Sequence, residues 1–430
     1  MSSVSSRFFK AKAWALLHDP PNKMWIITGK GRCTEGWHLN TDAHEEESAS
    51  IWYHLGLTDP FGDMNDKNDP AYKLVKEADV ISALMDRWLL NNIEGDNKGI
   101  FKYNKLHNIF DPEHSIDLPD NIDCNKVKAY IEELRKITDD IYSKVKGFNN
   151  DEKARIIYHA LYVLYELNWI NNELPPSLAD TRVPTHTVFD HDYAAAAVVN
   201  MLGPSGDIGG YLVDVDIPSI QRIVNSARKA GDFWAGSWLV SMLAWLTVWP
   251  LVWKYGPDII VRPTLRLNPI YHITLLNKLR DNYNYSGSLA NVIYNFYLKT
   301  IFEINQPSEG MDVNNLLIKE PIIPGSITLL LPRDDFKDVT EIEKEINENF
   351  KKVYDCISTW ALSGKATDYC SHILTDDKDN SIDNPFLKIS NHLYNDLKDS
   401  GIFNDLISIK INAVNLSDVY KCLLHYLDHD

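Results

Sequence analysis

The chain is short of cysteine, short of positive charge and free of an apolar leader. Its five cysteines, at 33, 124, 356, 370 and 422, stand far apart, with no C-x-x-C pair. That spacing argues against a zinc ribbon and against a disulfide framework, and it fits a reducing cytoplasm. The first residues, MSSVSSRFFKAK, contain no apolar stretch, so no secretory signal is expected. Lys and Arg number 43 against 60 Asp and Glu, a net charge of −17. Phosphate affinity comes from Lys and Arg, so such a chain is a poor generic nucleic-acid binder. The G-x-x-G near 206–210 lacks the Lys-Ser/Thr of a phosphate-binding loop and reads as a linker turn. There is no internal repeat and no low-complexity tract.

What is present is an ordinary globular composition, 44% apolar and 24% charged, over 430 residues. That length suits two or three domains, each with its own core. The charge is uneven. Residues 217–280 hold eight Lys and Arg against Asp232 and Asp258, a net +6. Two readings fit this segment: a solvated helix face, or a surface for RNA, nucleotide or an acidic partner.

Residues 1–200 read as helical. Apolar residues recur at three- and four-residue spacing over 71–90, 125–146 and 151–169, with Asp151 placed to cap the third helix. The Gly-, Asp- and Asn-rich stretches 28–48 and 56–70 read as loops, and 92–123 as an irregular excursion. A boundary falls near Gly203–Gly206. The pattern then changes to a strand at 210–217, a helix opened by Pro218, a long helix from about Asp232, and strands at 258–262 and 326–331. Within the long helix, Phe233–Trp253 runs 21 residues without a charged side chain, long enough to span a bilayer. Its five Trp, at 234, 238, 245, 249 and 253, fall within about a quarter-turn arc at ~100° per residue. Membrane Trp gathers at the interfaces, so a core helix packed on a sheet is expected, kinked or interrupted at Pro250.

The most informative residues are His18-Asp19, in Leu16-Leu17-His18-Asp19-Pro20-Pro21-Asn22-Lys23, read as lying in the N-terminal helix. An adjacent imidazole and carboxylate can hold a divalent cation. His-Asp recurs at 191–192 and 429–430, so the dipeptide alone decides nothing. Its company does more: His44-Glu45, then Ala78-Asp79 to Asp86-Arg87, then Asp180-Thr181-Arg182-Val183-Pro184 through Asp190-His191. Later come Ile220-Gln221, Ala227-Arg228-Lys229, Asp232 to Ser237, and Tyr255-Gly256-Pro257-Asp258. In this order the segments, scattered over 8–332, resemble the large subunit of type III CRISPR effector complexes, CRISPR-associated protein ten, in its Cmr (III-B) form.

The resemblance implies an α+β chain. A helical, circularly permuted HD domain would cover 1–203, a ferredoxin-like palm 204–335, and a helical region 336–430. It maps the metal site onto His18, Asp19, His44, Asp79 and His191, with His18, Asp19 and Lys23 at the chemistry. The mixed N/O donor set suits manganese, nickel, iron or magnesium, with Asp19 as the bridge if two ions bind. The implied activity is endonucleolytic cleavage of single-stranded DNA, switched on when the complex captures target RNA. Partners would be other Cmr-type subunits, guide CRISPR RNA and target RNA, in the cytoplasm with no membrane. The residues keep their plainer readings: a helix-surface pair for 18–19, a solvated helix start at His44 with His38 and His54 as rivals, a surface Asp79, and a core His191. Lys23 could hold a phosphate or lie exposed, and Glu45 and His186 are further acid–base candidates.

In the palm, Asp214 and Asp216 stand where polymerase-like palms hold magnesium, but the opposing element, Thr264 to Pro269, has no adjacent acids. The family's Gly-Gly-Asp-Asp cyclase motif is missing. ATP binding through Ser219, Gln221, Arg228 and Lys229 is implied, with oligoadenylate synthesis expected only beside a second chain carrying that motif. Two further functions stay open: a scaffold subunit with an idle HD site, and a stand-alone HD phosphohydrolase.

Overall fold

A computed structural model of the chain describes residues 4–34, 37, 44–64, 66–84, 105–108, 110–180, 186–218, 220–225, 227–304, 317, 320–363 and 407–427. The chain divides into two compact units, Met1–Asp207 with Ser286–Pro307, and Ile208–Tyr285 with Ser308–Asp430.

The first unit is helical. Among its described residues are α1 (Ser6–Leu16), α2 (Lys23–Ile27), α3 (His44–His54), α4 (Thr58–Phe61), α5 (Pro70–Ser82), α6 (Cys124–Val145), α7 (Asn150–Asn171) and α8 (Val188–Val198). Short polar side chains start these helices by accepting early backbone N–H bonds. Asp69 caps α5 ahead of Pro70, Asp123 caps α6, and Thr187 with Asp190 forms a capping box on α8. Helix α7 is buried almost all round and forms the unit's centre, with α1 and α6 packed against it. Helix α1 also packs on α5 and α8.

Four expectations are corrected here. His18-Asp19 lies just beyond α1, because Asp19 precedes Pro20 and a residue before proline is pushed out of the helical region. Asn149, not Asp151, caps α7; Asp151 accepts from the backbone N of Ser6 at 2.6 Å. The stretches 28–48 and 56–70 are not wholly loop, since α3 begins at His44 and α4 lies within the second. Within 92–123, β1 (Lys105–His107) and β2 (Ser115–Asp117) pair as an antiparallel hairpin. The cysteine reading is also corrected: Cys33 and Cys124 form a disulfide across 91 residues. Pairing at that separation leaves no local pattern to read, and intracellular proteins of hyperthermophiles carry such bonds, so it does not decide the compartment.

The second unit is built on a four-stranded sheet. Its strands are β3 (Tyr211–Asp216), β4 (Ile260–Arg262), β5 (Ser326–Leu331) and β6 (Lys410–Asn415), in the order β4-β5-β3-β6 with every pair antiparallel. Alternation sends Tyr211, Val213 and Val215, with Ile327, Leu329 and Leu331, into the core. The described helices are α9 (Ile220–Asn225), α10 (Ala230–Tyr255), α11 (Pro269–Tyr283), α13 (Val339–Ser363) and α14 (Leu416–Leu427). The helical region expected at 336–430 is therefore not separate. Its α13 packs on α10, and its β6 is an edge strand of this sheet.

Between β4 and β5 the chain leaves this unit. Helix α12 (Ser288–Phe296) belongs to the first unit, where Ser288 donates to Asp140 at 2.9 Å and Asn171 to the Val292 carbonyl at 3.3 Å. Asn268 and Pro269, expected opposite the first strand, instead cap and open α11. Helix α10 runs unbroken through Pro250. An internal proline costs about 3 kcal/mol. Buried Trp245, Trp249, Leu251 and Val252 around it contribute about 1.5–3 kcal/mol each, which outweighs that cost. Helix α10 is long and apolar enough to cross a membrane, yet most of it is buried inside its own unit, as a core helix would be.

Candidate metal centre

The first unit brings all five expected side chains to one cavity of about 300 Å³. His18 and Asp19 come from the turn after α1, His44 from the first residue of α3, Asp79 from the last turn of α5, and His191 from the start of α8. His191 Nε2 lies 3.2 Å from His18 Nε2 and 3.2 Å from Asp79 Oδ1. His18 Nε2 lies 3.6 Å from both Asp79 Oδ1 and Asp19 Oδ2, and His191 Nε2 is 3.8 Å from that same Asp19 oxygen. His44 Nε2 approaches the other oxygen, Asp19 Oδ1, at 3.5 Å.

These spacings fit a metal. Bonds near 2.0–2.2 Å at tetrahedral or octahedral angles set neighbouring donors about 3–3.5 Å apart. His18, Asp19 and His191 each offer a ligand atom within 4.8 Å of the others, Asp79 brings a second carboxylate against both imidazoles, and the two oxygens of Asp19 face different donors.

The support behind the donors is equally specific. His18 Nδ1 donates to the Ala15 carbonyl at 2.7 Å, which fixes the ring and turns Nε2 toward the cavity. Asp192, fully buried, reaches that Nδ1 at 3.3 Å. The Tyr165 hydroxyl lies 2.8 Å from both the Asp19 carbonyl and Asp192 Oδ2. It has one proton, so donating to the carbonyl leaves its lone pair for a protonated Asp192. Burial drives the Asp192 carboxyl well above its ordinary range, in keeping with that arrangement. Glu47 ties α3 to the turn below: its Oε1 accepts from Cys33 N, Thr34 N and Asn22 Nδ2 at 3.0, 3.1 and 3.1 Å.

The electrostatics follow from crowding. Burial alone would lower the His18 pKa, but the carboxylates of Asp19 and Asp79 overcome it and raise it to about 9. Burial opposes charge on Asp19 too, and Lys23, His18 and His44 hold it well below the usual carboxylate range. Asp79 is depressed the same way by His18 and His191. Lys23 bonds Asp19 Oδ2 directly, and that contact raises its pKa against the effect of burial. His44 is shifted down, first by burial.

The remaining candidates separate. Glu45 points to Lys76 at 2.8 Å at the edge of the cavity. The His186 ring lies 6.4 Å from that of His191. His54 is taken up elsewhere, bonded to Glu132 at 2.8 Å and stacked on Trp37. His38, Asp86, Arg87 and 181–184 lie outside the described residues. Sequence reasoning missed Asp192 and Tyr165. The 191–192 dipeptide was the available signal, and only the packing of α7 against α8 shows its aspartate facing His18. In the second unit, Arg228 and Lys229 line an open groove of about 580 Å³ with Phe233, Trp234 and Glu320. Gln221 is exposed on α9 and lines none of that groove; Ser219 lies outside the described residues. Asp214 and Asp216 share the less buried face of β3, with Asp214 3.3 Å from Thr328 Oγ1.

The family profile described as CRISPR-associated protein Cmr2, N-terminal, matches residues 212–359. Beyond that span, the CRISPR system CMR subunit Cmr2 of Saccharolobus solfataricus is 30% identical over 373 residues, 82% of this chain and 34% of that protein. Over most of its length the chain is similar to Cmr2. The Cmr2 subunit of Pyrococcus furiosus is 24% identical over 313 residues, 61% of this chain and 32% of its own length. Two chains of solved structures superpose at TM-scores of 0.69 and 0.66, with 27% and 26% identity. One is from the type III-B Cmr-beta complex in its apo state, the other from Cmr-beta bound to cognate target RNA. They cover 94% and 95% of this chain, and 37% and 36% of theirs. The chain thus spans about a third of the length of the relatives it matches, and the four-donor cavity lies outside the span of the profile.

Proposed function

We propose that this chain is part of the large subunit of a type III-B CRISPR effector complex, and that its first unit is an HD-type phosphodiesterase acting on single-stranded DNA. The observation that carries this is the convergence of His18, Asp19 and His191 at 3.2–3.8 Å spacing, with Asp79 3.2 and 3.6 Å from the two imidazoles and His44 on the second oxygen of Asp19. We read the β4-β5-β3-β6 sheet as the ferredoxin-like palm, the split β-α-β pattern. Cmr-beta with target RNA supplies the analogy for guide and target RNA and for the other subunits as partners, in the cytoplasm.

Manganese, nickel, iron or magnesium would be held by the four donors, with His44 and Asp19 Oδ1 available to a second ion. Such an ion supplies a lowered pKa for water and neutralises charge on the attacked phosphate. The rest is done by side chains. The Ala15 carbonyl sets the His18 tautomer. Tyr165 and Asp192 hold the Asp19 backbone and the His18 ring in register. Lys23, cationic and partly exposed beside Asp19, offers a phosphate a positive contact once Asp19 engages the metal. Arg228 and Lys229, with the exposed rings of Phe233 and Trp234, would receive ATP in the second unit.

The test is purified chain, stripped by chelation and reloaded, assayed on single-stranded and duplex DNA. Manganese-dependent cleavage of the single strand, lost in His18→Ala and Asp79→Ala while the fold persists, is expected. A stoichiometric metal without cleavage under any condition, including with target RNA and partner subunits, would instead make the chain a scaffold.

A further inference from the structure

The cavity has a second wall that the metal reading does not use. Along α5, Tyr72, Val75, Lys76 and Asp79 stand at helical spacings of three and four, so they share one face and all line the cavity. Asp79 belongs to the donor cluster. Lys76 lies about one turn away, ~5.4 Å along the axis, and Tyr72 one turn further. Lys67, exposed, also lines the cavity, and Trp14 packs against Tyr72 with ring centroids 5.7 Å apart. Beside the carboxylates and imidazoles, the cavity thus carries Lys76, whose ammonium lies 5.9 Å from the Tyr72 ring, and Lys67, in a chain that is otherwise strongly acidic.

Building on the phosphodiesterase reading, we infer that Lys76 and Lys67, with Tyr72, form a subsite for the nucleotide next to the one being cut. Its phosphate sits on the two lysines and its base lies against Tyr72. The spacing fits, since a neighbouring phosphate of the same strand lies about a helical turn from the one at Asp79. So does the size: about 300 Å³ is at the small end of ligand cavities and takes an unpaired nucleotide more readily than a base pair. Lys76 is free to serve. Its bond to Glu45 at 2.8 Å joins two half-exposed groups, and such pairs contribute little and exchange readily. Glu45 follows His44 on α3, so the pair links α3 to α5 beside the cavity. An incoming phosphate takes Lys76 and leaves Glu45 to solvent. Stacking on the tyrosine face tolerates any base, so the subsite selects for a single strand and not for sequence.

The experiment titrates a fluorescent single-stranded deoxyoligonucleotide into the full chain with chelator present, so binding is read without turnover. Anisotropy is followed at several salt concentrations for wild type, Lys67→Gln/Lys76→Gln and Glu45→Gln. Two lost phosphate contacts predict about a tenfold fall in affinity at low salt. They also predict a log–log salt slope shallower by about 1.4, at about 0.7 per single-strand contact. Glu45→Gln, which removes the competitor for Lys76, tightens binding about two- to threefold. Tyr72→Leu weakens binding of the oligonucleotide but not of an abasic strand, and Tyr72→Phe binds as wild type, which separates base contact from loss of fold. A ribo-oligonucleotide run in parallel assigns the sugar. An unchanged salt slope in the double variant overturns the subsite, as does weaker binding in Glu45→Gln. The two readings fail separately. Absence of cleavage leaves the binding differences standing, whereas cleavage with KM unmoved by the lysine substitutions removes the subsite and keeps the nuclease.

Discussion

The proton on His18 makes the candidate centre measurable without any substrate. Its pKa is raised from 6.5 to about 9 because Asp19 and Asp79 outweigh the burial that disfavours its charge. A group whose folded pKa is raised stabilises the fold fully below its unfolded value, and that stability is lost as pH climbs through the folded value. For chelated protein the window is therefore pH 6.5 to 9. A rise of this size corresponds to about 3 kcal/mol at ~1.36 kcal/mol per pH unit, an upper bound because the carboxylates share the interaction. For a unit of this size the melting temperature should fall by about 5–10 °C across the window.

Loading manganese reverses the sign. His18 must give up its proton to offer Nε2, so below pH 9 the ion competes with a proton. Apparent affinity should rise about tenfold per pH unit between 6 and 8 and level off above 9. Burial lowers the His44 pKa, so His44 should add no second proton near neutrality. The assay is scanning calorimetry of chelated and loaded protein from pH 6 to 9.5. Titration calorimetry in two buffers of different ionisation heat then counts the protons released. A chelated protein that melts at constant temperature over this range, together with no proton released at pH 7.5, would refute the electrostatic account and the role of His18 Nε2.

Four further outcomes are expected. Asp192→Asn keeps the fold but loosens the His18 ring, lowering metal affinity about 10–100-fold as loss of a supporting partner does, read by competition with a chromogenic chelator. Cys33→Ser removes a cross-link closing a 91-residue loop; the melting temperature of oxidised protein should fall, by about 2–4 kcal/mol of stability in the usual range, and an unchanged melting temperature would mean the bond does not form. With ATP and magnesium, this chain alone should bind nucleotide weakly and form no oligoadenylate; product without a second palm would show that the carboxylates of β3 suffice. Native protein should be recovered without detergent, since α10 is mostly buried; recovery only with membranes would contradict that.

How much was legible in the sequence depended on whether the signal was local. Helices of the first unit carry their own caps and apolar spacing, so 125–146 anticipated Cys124–Val145 within a residue at each end. The donors were legible as an ordered set of dipeptides, because each lies at a helix end where chain direction changes. The loss of the C-terminal strand from the reading has a different cause. Lys-Ile-Asn-Ala-Val-Asn is an edge strand with exposed residues alternating along it, so its apolar content is too thin to stand out. What makes it a strand is the row of backbone groups on β3, almost two hundred residues earlier in the chain. The excursion of Ser286–Pro307 into the first unit is non-local in the same way, fixed by Asp140 and Asn171.

The same distinction explains why Asp192 escaped attention although it is adjacent to His191. Adjacent residues on a helix point about 100° apart, so one member of a His-Asp pair can meet the cavity while the other is buried behind it. In the first pair, at 18–19, the proline that follows breaks the helix, and both side chains reach the cavity. In the second, at 191–192, the helix continues, His191 faces the donors, and Asp192 passes beneath to meet His18 and Tyr165. The two identical dipeptides thus do different jobs. The difference is set by Pro20 and by the unbroken alanine run of α8, Ala194 to Ala197, and not by the pairs themselves. Placing a proline after Asp192 should end α8 early and swing the aspartate out of its buried seat. The expected result is a looser His18 ring and weaker metal binding, as in Asp192→Asn, while the chelated-protein melting temperature still falls between pH 6.5 and 9, because Asp19 and Asp79 remain beside His18. Tyr193→Ala is the control for lost packing: it lowers the melting temperature at every pH while leaving Asp192 in its seat and metal affinity unchanged.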